Sequence, residues 1–299
     1  HRRRGPRPEA MSTTQGFSAS WLQLREGADA RARHRDLAGA LSAWFALRTE
    51  ISVVDLGSGT GSNLRATAQL LPPKQAWRLI DADSALHGEA RKMLRHWADK
   101  SEDLANGGLA LDKGAARITV AFDLLDLAKD PAAIFAHKAD LVTASALFDL
   151  VSEDYIKVFV RALAASGGAF YAVLTYNGLQ KWAPHRPADN QIAGAFNRHQ
   201  MSDKGFGPAA GPQAPSLLAD YLRLAGYSVQ EGDSPWRLGP ADRMLIEELQ
   251  RGHAMAVLEI GALDVKTVET WVKTIRSAAE IGHTDTLAFP TPISRAHYF

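Results

Sequence analysis

The sequence predicts an α/β protein: a doubly wound, mainly parallel seven-stranded sheet with helices on both faces. An N-terminal helical cap precedes it and extra helices follow late in the chain. Three observations carry that expectation. Short β-branched apolar runs alternate with helical stretches between residues 50 and 176, as strands covered on both faces require. Three glycines, Gly57, Gly59 and Gly61, crowd the first strand-to-helix junction. The 299 residues are 46% hydrophobic, enough to bury a substantial core.

Each element can be justified in order. Residues 17–48 read as a helical cap broken near Gly27, with Trp21, Leu22, Leu24, Leu37, Leu41, Trp44 and Phe45 at near-helical spacing. "ISVVDL" is a buried parallel strand, followed by the glycines and the helical "SNLRATAQLL", which Pro72 and Pro73 stop. "AWRLIDAD" is the second strand, and residues 84–104 a helix capped by Ser84. "ARITVAF" and "ADLVTASALF" give strands three and four, "EDYIKVFVRALAAS" the next helix, and "GGAFYAVLTY" strand five. Residues 177–214 are polar and rich in Gly and Pro, a long substrate loop. "SLLADYLRLAG" resumes as helix and "YSVQEGDS" as strand. Helical stretches at about 241–260 and 264–281 form an insertion before the last strand, "TLAFPT". The main domain thus spans 49–299.

Composition excludes several classes. The formal net charge is +1, and the opening "HRRRGPRPEA" alone carries Arg2, Arg3, Arg4 and Arg7. The body is near neutral, so nucleic acid is not an expected partner. Residues 1–16 read as a disordered leader or an extension upstream of the native start, taken as Met11. No apolar run approaches the ~18 residues that span a bilayer, so no membrane partner is expected. With no cysteine in the sequence, this chain has no thiolate metal site or cysteine nucleophile. The histidines lack metal-ligand spacing, so no metal is expected. Cytoplasmic location fits these features.

The glycine turn frees backbone N–H groups for a ligand. A dinucleotide fingerprint wants a glycine at position 62, where Ser62 stands, and no Lys-Ser/Thr pair follows for a triphosphate. Asp55, leading into the turn, would repel a pyrophosphate and welcome a cation. The run from Asp55 to Gly61, acid-x-Gly-x-Gly-x-Gly, resembles the first motif of class I S-adenosylmethionine (SAM)-dependent methyltransferases. The match covers roughly residues 50–176.

That resemblance implies SAM as cofactor, S-adenosylhomocysteine (SAH) as product, and a set of contacts. Asp55, Gly57, Ser58, Gly59 and Gly61 would form the turn. Asp81, with Ala82, would hold the ribose hydroxyls. Asp123, with Leu124, would meet the adenine amino group, Asp126 being a rival. Ser145 ends strand four. Trp21, Arg25 and Arg33 lie on the capping helix; Arg25 could meet the cofactor carboxylate, although Glu26, Asp29 and Asp36 favour a solvated face for any one arginine.

Ligands of doubly wound sheets sit beyond the carboxyl ends of the strands. Tyr176 and His199 are therefore the expected catalytic groups, His199 as general base because imidazole titrates near neutrality. Asn177, Trp182, His185 and Asn197, with Trp236 and Arg237 as aromatic wall and anion clamp, are expected to bind substrate. Cytosine C5 and arsenite methylation need thiols and are excluded, and the Asn/Asp-Pro-Pro-aromatic motif for amino groups is absent at "ASALFDL". The expected reaction is methyl transfer to a small-molecule acceptor at O, N or C. A methyltransferase-like binding or regulatory protein and an NAD(P)-dependent oxidoreductase are the alternatives. The late helices suit a lid or a homodimer contact equally.

Overall fold

The β-branched run Ile51–Leu56 is buried along almost its whole length, because it lies at the middle of the sheet with helices on either side. The structure, a computed structural model, describes residues 17–129 and 131–291; the leader expected over 1–16 lies outside them. In chain order the elements are α1 (Ala19–Ala32), α2 (Arg35–Phe45), β1 (Glu50–Leu56), α3 (Ser62–Thr67), β2 (Lys74–Asp81), α4 (Ser84–Trp97), β3 (Lys100–Asp103), β4 (Leu109–Lys113) and β5 (Ala116–Leu124). There follow β6 (Leu141–Ser145), α5 (Glu153–Ser166), β7 (Ala169–Ala183), α6 (Asp189–Gln200), α7 (Ala214–Leu224), β8 (Tyr227–Asp233), β9 (Trp236–Leu238), α8 (Arg243–Glu259), α9 (Val265–Val272) and β10 (Ala278–Pro290).

The strands run β3-β4-β5-β2-β1-β6-β7-β10-β8, with β9 against β10. β5, β2, β1, β6 and β7 are parallel, and β10 and β8 close the far edge antiparallel. These seven strands are the expected doubly wound core. β1 reverses the winding at the centre, and the crevice at its carboxyl end is where such sheets bind ligands. Apolar residues of α5 and α7 cover one face of the sheet, and those of α2, α3 and α4 cover the other.

A third apolar cluster lies off the sheet. The second half of β7 and the first half of β10 continue paired past the other strands, Trp182 opposite Ala279. Residues of α1, α6, α8 and α9 pack on this projecting ribbon around Trp182, Trp236, Trp271 and Ile281. A buried ion pair anchors it: Arg276 Nη2 meets Asp189 Oδ1 at 2.7 Å, and Trp271 Nε1 donates to the same oxygen at 2.7 Å. Four hydrogen bonds to one carboxylate, from Arg186 N–H, Trp271 Nε1 and both Nη atoms of Arg276, are what make such a buried charge tolerable.

Several boundaries differ from the sequence reading. The N-terminal break falls at Arg33 and His34, while Gly27 sits inside α1. Asp83, whose side chain accepts from Ala85 N, caps α4 in place of Ser84. That helix ends at Trp97, and β3 and β4 form a hairpin on the sheet edge; Lys100–Asp103 is polar and mostly exposed, so its sequence carries no apolar alternation. Residues 177–214 are mainly strand and helix rather than loop, because β7 runs on to Ala183 and α6 follows. The stretch 264–281 is helical only to Val272, and from Ala278 it is strand. Among the described residues no helix is long and apolar enough to cross a membrane.

Candidate active site

The three glycines shape the crevice. Gly57, Gly59 and Gly61 have φ of +61°, +53° and +76°, a region L side chains adopt only with strain. At Gly59 a Cβ would also lie 3.0 Å from Leu22 Cδ1, so α1 presses directly on the turn. The Asp81 carboxylate, at the carboxyl end of β2, holds the turn from its other side. It accepts Gly59 N–H at 2.8 Å and Asp83 N–H at 3.0 Å.

Asp55 does not touch the crevice. It is fully buried under the turn, where Asn63 Nδ2 donates to Oδ1 at 2.7 Å and Oδ2 has no partner. Burial pushes its carboxyl up to about 7, against the opposing pull of the Asn63 bond and Arg33. Its contribution is to the floor: Asn63 also donates to Thr143 Oγ1 at 3.1 Å and accepts from Arg33 Nη2 at 2.8 Å. A direct contact between Asp55 and ligand, expected from the sequence, gives way to this supporting arrangement.

Two adjoining cavities occupy the crevice. One, of about 530 Å³, lies over the turn and is lined by Phe17, Leu22, Gly57, Ser58, Gly59, Asn63, Asp81, Ala82, Asp83 and Ser145. The other, of about 570 Å³, is a chamber under the projecting ribbon. Gly57, Asp81, Ala82, Leu147 and Arg25 face both. Asp123 and Leu124 face neither. Arg78 Nη2 binds the Asp123 carboxylate at 2.6 Å, and Leu124 is exposed; Asp126 instead lies in the chamber wall beside Leu125.

Arg25 overturns the solvated reading. It is buried, grips Asp29 through Nε at 2.9 Å and Nη2 at 3.2 Å, and lies 5.0 Å from the ring centre of Trp236. Trp236 Nε1 donates to the same Asp29 at 2.9 Å. Trp236 therefore lines the chamber, and the cation beside it comes from α1, not from Arg237. Arg237, the next residue of β9, alternates outward and is exposed beside Glu280.

The remaining chamber wall is largely aromatic: Trp21, Tyr176, Phe196, Phe206, Trp236, and the rings of His253 and His283. Tyr176 OH donates to Asn197 Oδ1 at 2.6 Å and accepts from Gln180 Nε2 at 2.6 Å. Burial raises its pKa well above the usual phenol range, so it stays a neutral phenol near pH 7. Asn197 thus orients Tyr176 from behind. Asn177 ties β7 to β10 through Thr284 Oγ1 at 3.2 Å, Trp182 packs edge-on behind His253, and His185 is exposed near Asp189. None of these four lines the chamber.

His199 also lies behind the wall. Its Nε2 contacts Glu259 at 3.1 Å and its Nδ1 faces Lys204 Nζ at 3.4 Å, joining α6 to the end of α8. Desolvation and the Lys204 charge lower its pKa, and its ring does not face the crevice. His199, expected as the general base, is thus not among the residues that line the chamber.

Three polar groups escaped the sequence reading. Asp149, on the loop after β6, is 8% exposed, lines the chamber, and has a buried Oδ1 without a partner. Burial pushes it up to about 6, while the backbone N–H groups of Asp149 and Tyr176 and the Arg25 charge pull the other way. His253 donates through Nδ1 to Leu249 O at 2.7 Å and stacks on Phe196 with centroids 3.8 Å apart. His283 lies against Trp236. Burial holds both rings neutral, at about 4 and about 3 respectively. "ASALFDL" held the one available clue to Asp149, an acid just past a strand end; nothing in sequence brings residues 253 and 283 to it.

No family model and no curated protein matches the sequence. Solved structures share the fold. A cyclopropane-fatty-acyl-phospholipid synthase-like protein from Lactobacillus casei ATCC 334 is similar at 14% identity, over 92% of this chain and 95% of that one, with a TM-score of 0.53. A putative methyltransferase from Bacillus halodurans C-125 gives 15% identity over 86% and 100% of the two chains, with a TM-score of 0.48. A SAM-dependent methyltransferase from Thiobacillus denitrificans, in complex with SAH, gives 15% over 91% and 98%, with a TM-score of 0.44.

Proposed function

We propose that this chain, which has the fold of class I methyltransferases, transfers a methyl group from SAM to a small molecule held in the aromatic chamber. The observation that carries this reading is the charge around the glycine turn. Among the described residues its cavity is lined by Asp29, Asp81 and Asp83 against the single cation Arg25, which Asp29 already pairs. Such a site suits a ligand bearing ammonium and sulfonium charges and disfavours a pyrophosphate. SAM, when bound, supplies a methyl group on a good sulfur leaving group.

The chain's own residues do the rest. The Asp81 carboxylate retains lone pairs beyond its two backbone bonds, and these suit a pair of ribose hydroxyls. Arg25, at the junction of the two cavities, keeps its Nη1 beyond the Asp29 fork and suits a ligand carboxylate. The chamber wall excludes water and holds the acceptor close to the turn, which supplies most of what an in-line displacement needs. Where the acceptor atom must lose a proton, Asp149 is the carboxylate for it. The near-neutral composition supports a small molecule over nucleic acid, and the cysteine-free sequence fits a cytoplasmic setting.

Calorimetric titration with SAM, SAH and NAD tests the reading. SAM and SAH are expected to bind and NAD to give no heat. Binding of NAD without SAM would overturn the proposal in favour of an oxidoreductase, and binding of none of the three in favour of an interaction module.

A further inference from the structure

We propose that the chamber takes a planar heteroaromatic acceptor whose N–H or O–H is held by Asp149. The inference rests on the methyl-transfer reading for the word acceptor, but the shape and chemistry of the chamber are argued independently of it. The wall offers ring surfaces from four separate elements and the loop after α6: Trp21 of α1, Tyr176 of β7, Phe196 of α6, Trp236 of β9 and Phe206. Aromatic walls favour a flat guest through stacked and edge-on contacts.

Hydrocarbon alone does not satisfy this chamber. Asp149 Oδ1, Trp21 Nε1 and His253 Nε2 are buried polar atoms with no partner, on three residues that line it. Because the carbonyl of Leu249 only accepts, His253 Nδ1 carries the proton, and Nε2 is left as a bare acceptor. Asp149 and His253 thus lack donors, while Trp21 lacks an acceptor. A heterocycle with a ring N–H or O–H and a ring nitrogen or carbonyl oxygen supplies both. An acyl chain would leave all three atoms unpaired in apolar surroundings, the costliest state for a buried polar group.

A quaternary cation would not satisfy the chamber either. Arg25 already occupies the face of Trp236. A cation without N–H or O–H, though attracted by Asp81, Asp126 and Asp149 in the wall, would leave His253 Nε2 and Trp21 Nε1 unpaired. A volume of about 570 Å³ accommodates a two-ring molecule with room for a substituent.

The test uses the full chain saturated with SAH, so that the glycine-turn cavity is filled, and SAH binding is first measured by itself. The probes are 4-hydroxyquinoline and hypoxanthine, with cyclohexanol, tetramethylammonium and oleate as non-planar, cationic and lipid controls. Calorimetry and quenching of tryptophan emission report binding, since Trp21 and Trp236 line the chamber. At least one planar probe is expected to bind tenfold or more tighter than every control. Asp149→Asn, which puts an N–H donor against the guest's own donor, is expected to weaken that probe at least tenfold while SAH affinity stays within twofold. His253→Asn removes Nε2 but keeps a donor for the Leu249 carbonyl; it is expected to weaken the probe severalfold and serves if Asp149→Asn lowers the melting temperature. Tighter binding of any control, no binding of either planar probe at 10 mM, or an unchanged probe affinity in a folded variant overturns the proposal. Failure of SAH to bind, with planar binding intact, would instead strike the methyl-transfer reading.

Discussion

Replacing Asp81 with alanine separates what its carboxylate does for the fold from what it does for the ligand. The side chain accepts two backbone N–H groups, Gly59 at 2.8 Å and Asp83 at 3.0 Å, and it lines both cavities. Hydrogen bonds to a charged group contribute about 1.5–3 kcal/mol each when the partner has no substitute. Both donors lie at the rim of an open crevice, so water takes up part of the loss. The net destabilisation expected is about 1–3 kcal/mol, a drop of several degrees in melting temperature. The ligand loses its hydroxyl partner outright, and at the same energies SAM affinity should fall by at least about tenfold, which is ~1.4 kcal/mol. Calorimetry well below the melting temperature reads the affinity, and thermal denaturation reads the stability. Ser152→Ala is the control: it removes the N-cap bond to Tyr155 N on α5, from a side chain that lines neither cavity, at about 1 kcal/mol. It should shift the melting temperature and leave SAM affinity alone. A folded Asp81→Ala protein with undiminished SAM affinity would refute the assignment of the ribose site.

Further outcomes follow from other positions. Gly59→Ala forces an L residue to φ of +53° and brings a Cβ to 3.0 Å from Leu22, so it should lose about 1–2 kcal/mol of stability and bind SAM more weakly; equal thermal stability would mean the turn relaxes freely. Asp29→Ala strands the Arg25 charge in a buried site and removes the partner of Trp236 Nε1, at about 3–5 kcal/mol by chemical denaturation. Asp55 has a folded pKa raised to about 7 from 3.8, so its stabilising contribution is complete below pH 4 and is lost as pH rises through 7. Asp55→Asn should therefore gain stability relative to the parent between pH 5 and pH 8, by an amount on the order of a few kcal/mol at most; a pH-independent difference between the two proteins would contradict the buried, protonatable carboxyl.

Much of the molecule was legible in its residues. Ile51–Leu56 and Ala169–Tyr176 read as buried strands because residues covered on both faces must be largely apolar, a local pattern. Gly57, Gly59 and Gly61 marked the strand-to-helix turn because positive φ admits few other residues. Asp81 could be placed because a strand end beside that turn has one position. The antiparallel edge was hidden. Lys100–Asp103 is mostly exposed and polar, and the ribbon of β7 and β10 draws its stability from pairing across about a hundred residues.

The chemistry of the chamber was decided by tertiary structure. Arg25 lies amid charged neighbours and resembles a surface residue, until Asp29 and Trp236 enclose it from 4 and 211 residues away. Asp149, His253 and His283 are unremarkable in sequence; burial of each in one cavity moves their proton affinities toward the neutral forms. His199 carried the better local signal and ended behind the wall, held by Glu259. Sequence by itself determined most of the elements and the glycine turn, because backbone conformation and burial are written in neighbouring residues. Which side chains share the chamber depends on how β7, α6, α8 and β10 meet, and that meeting is a property of the packed whole.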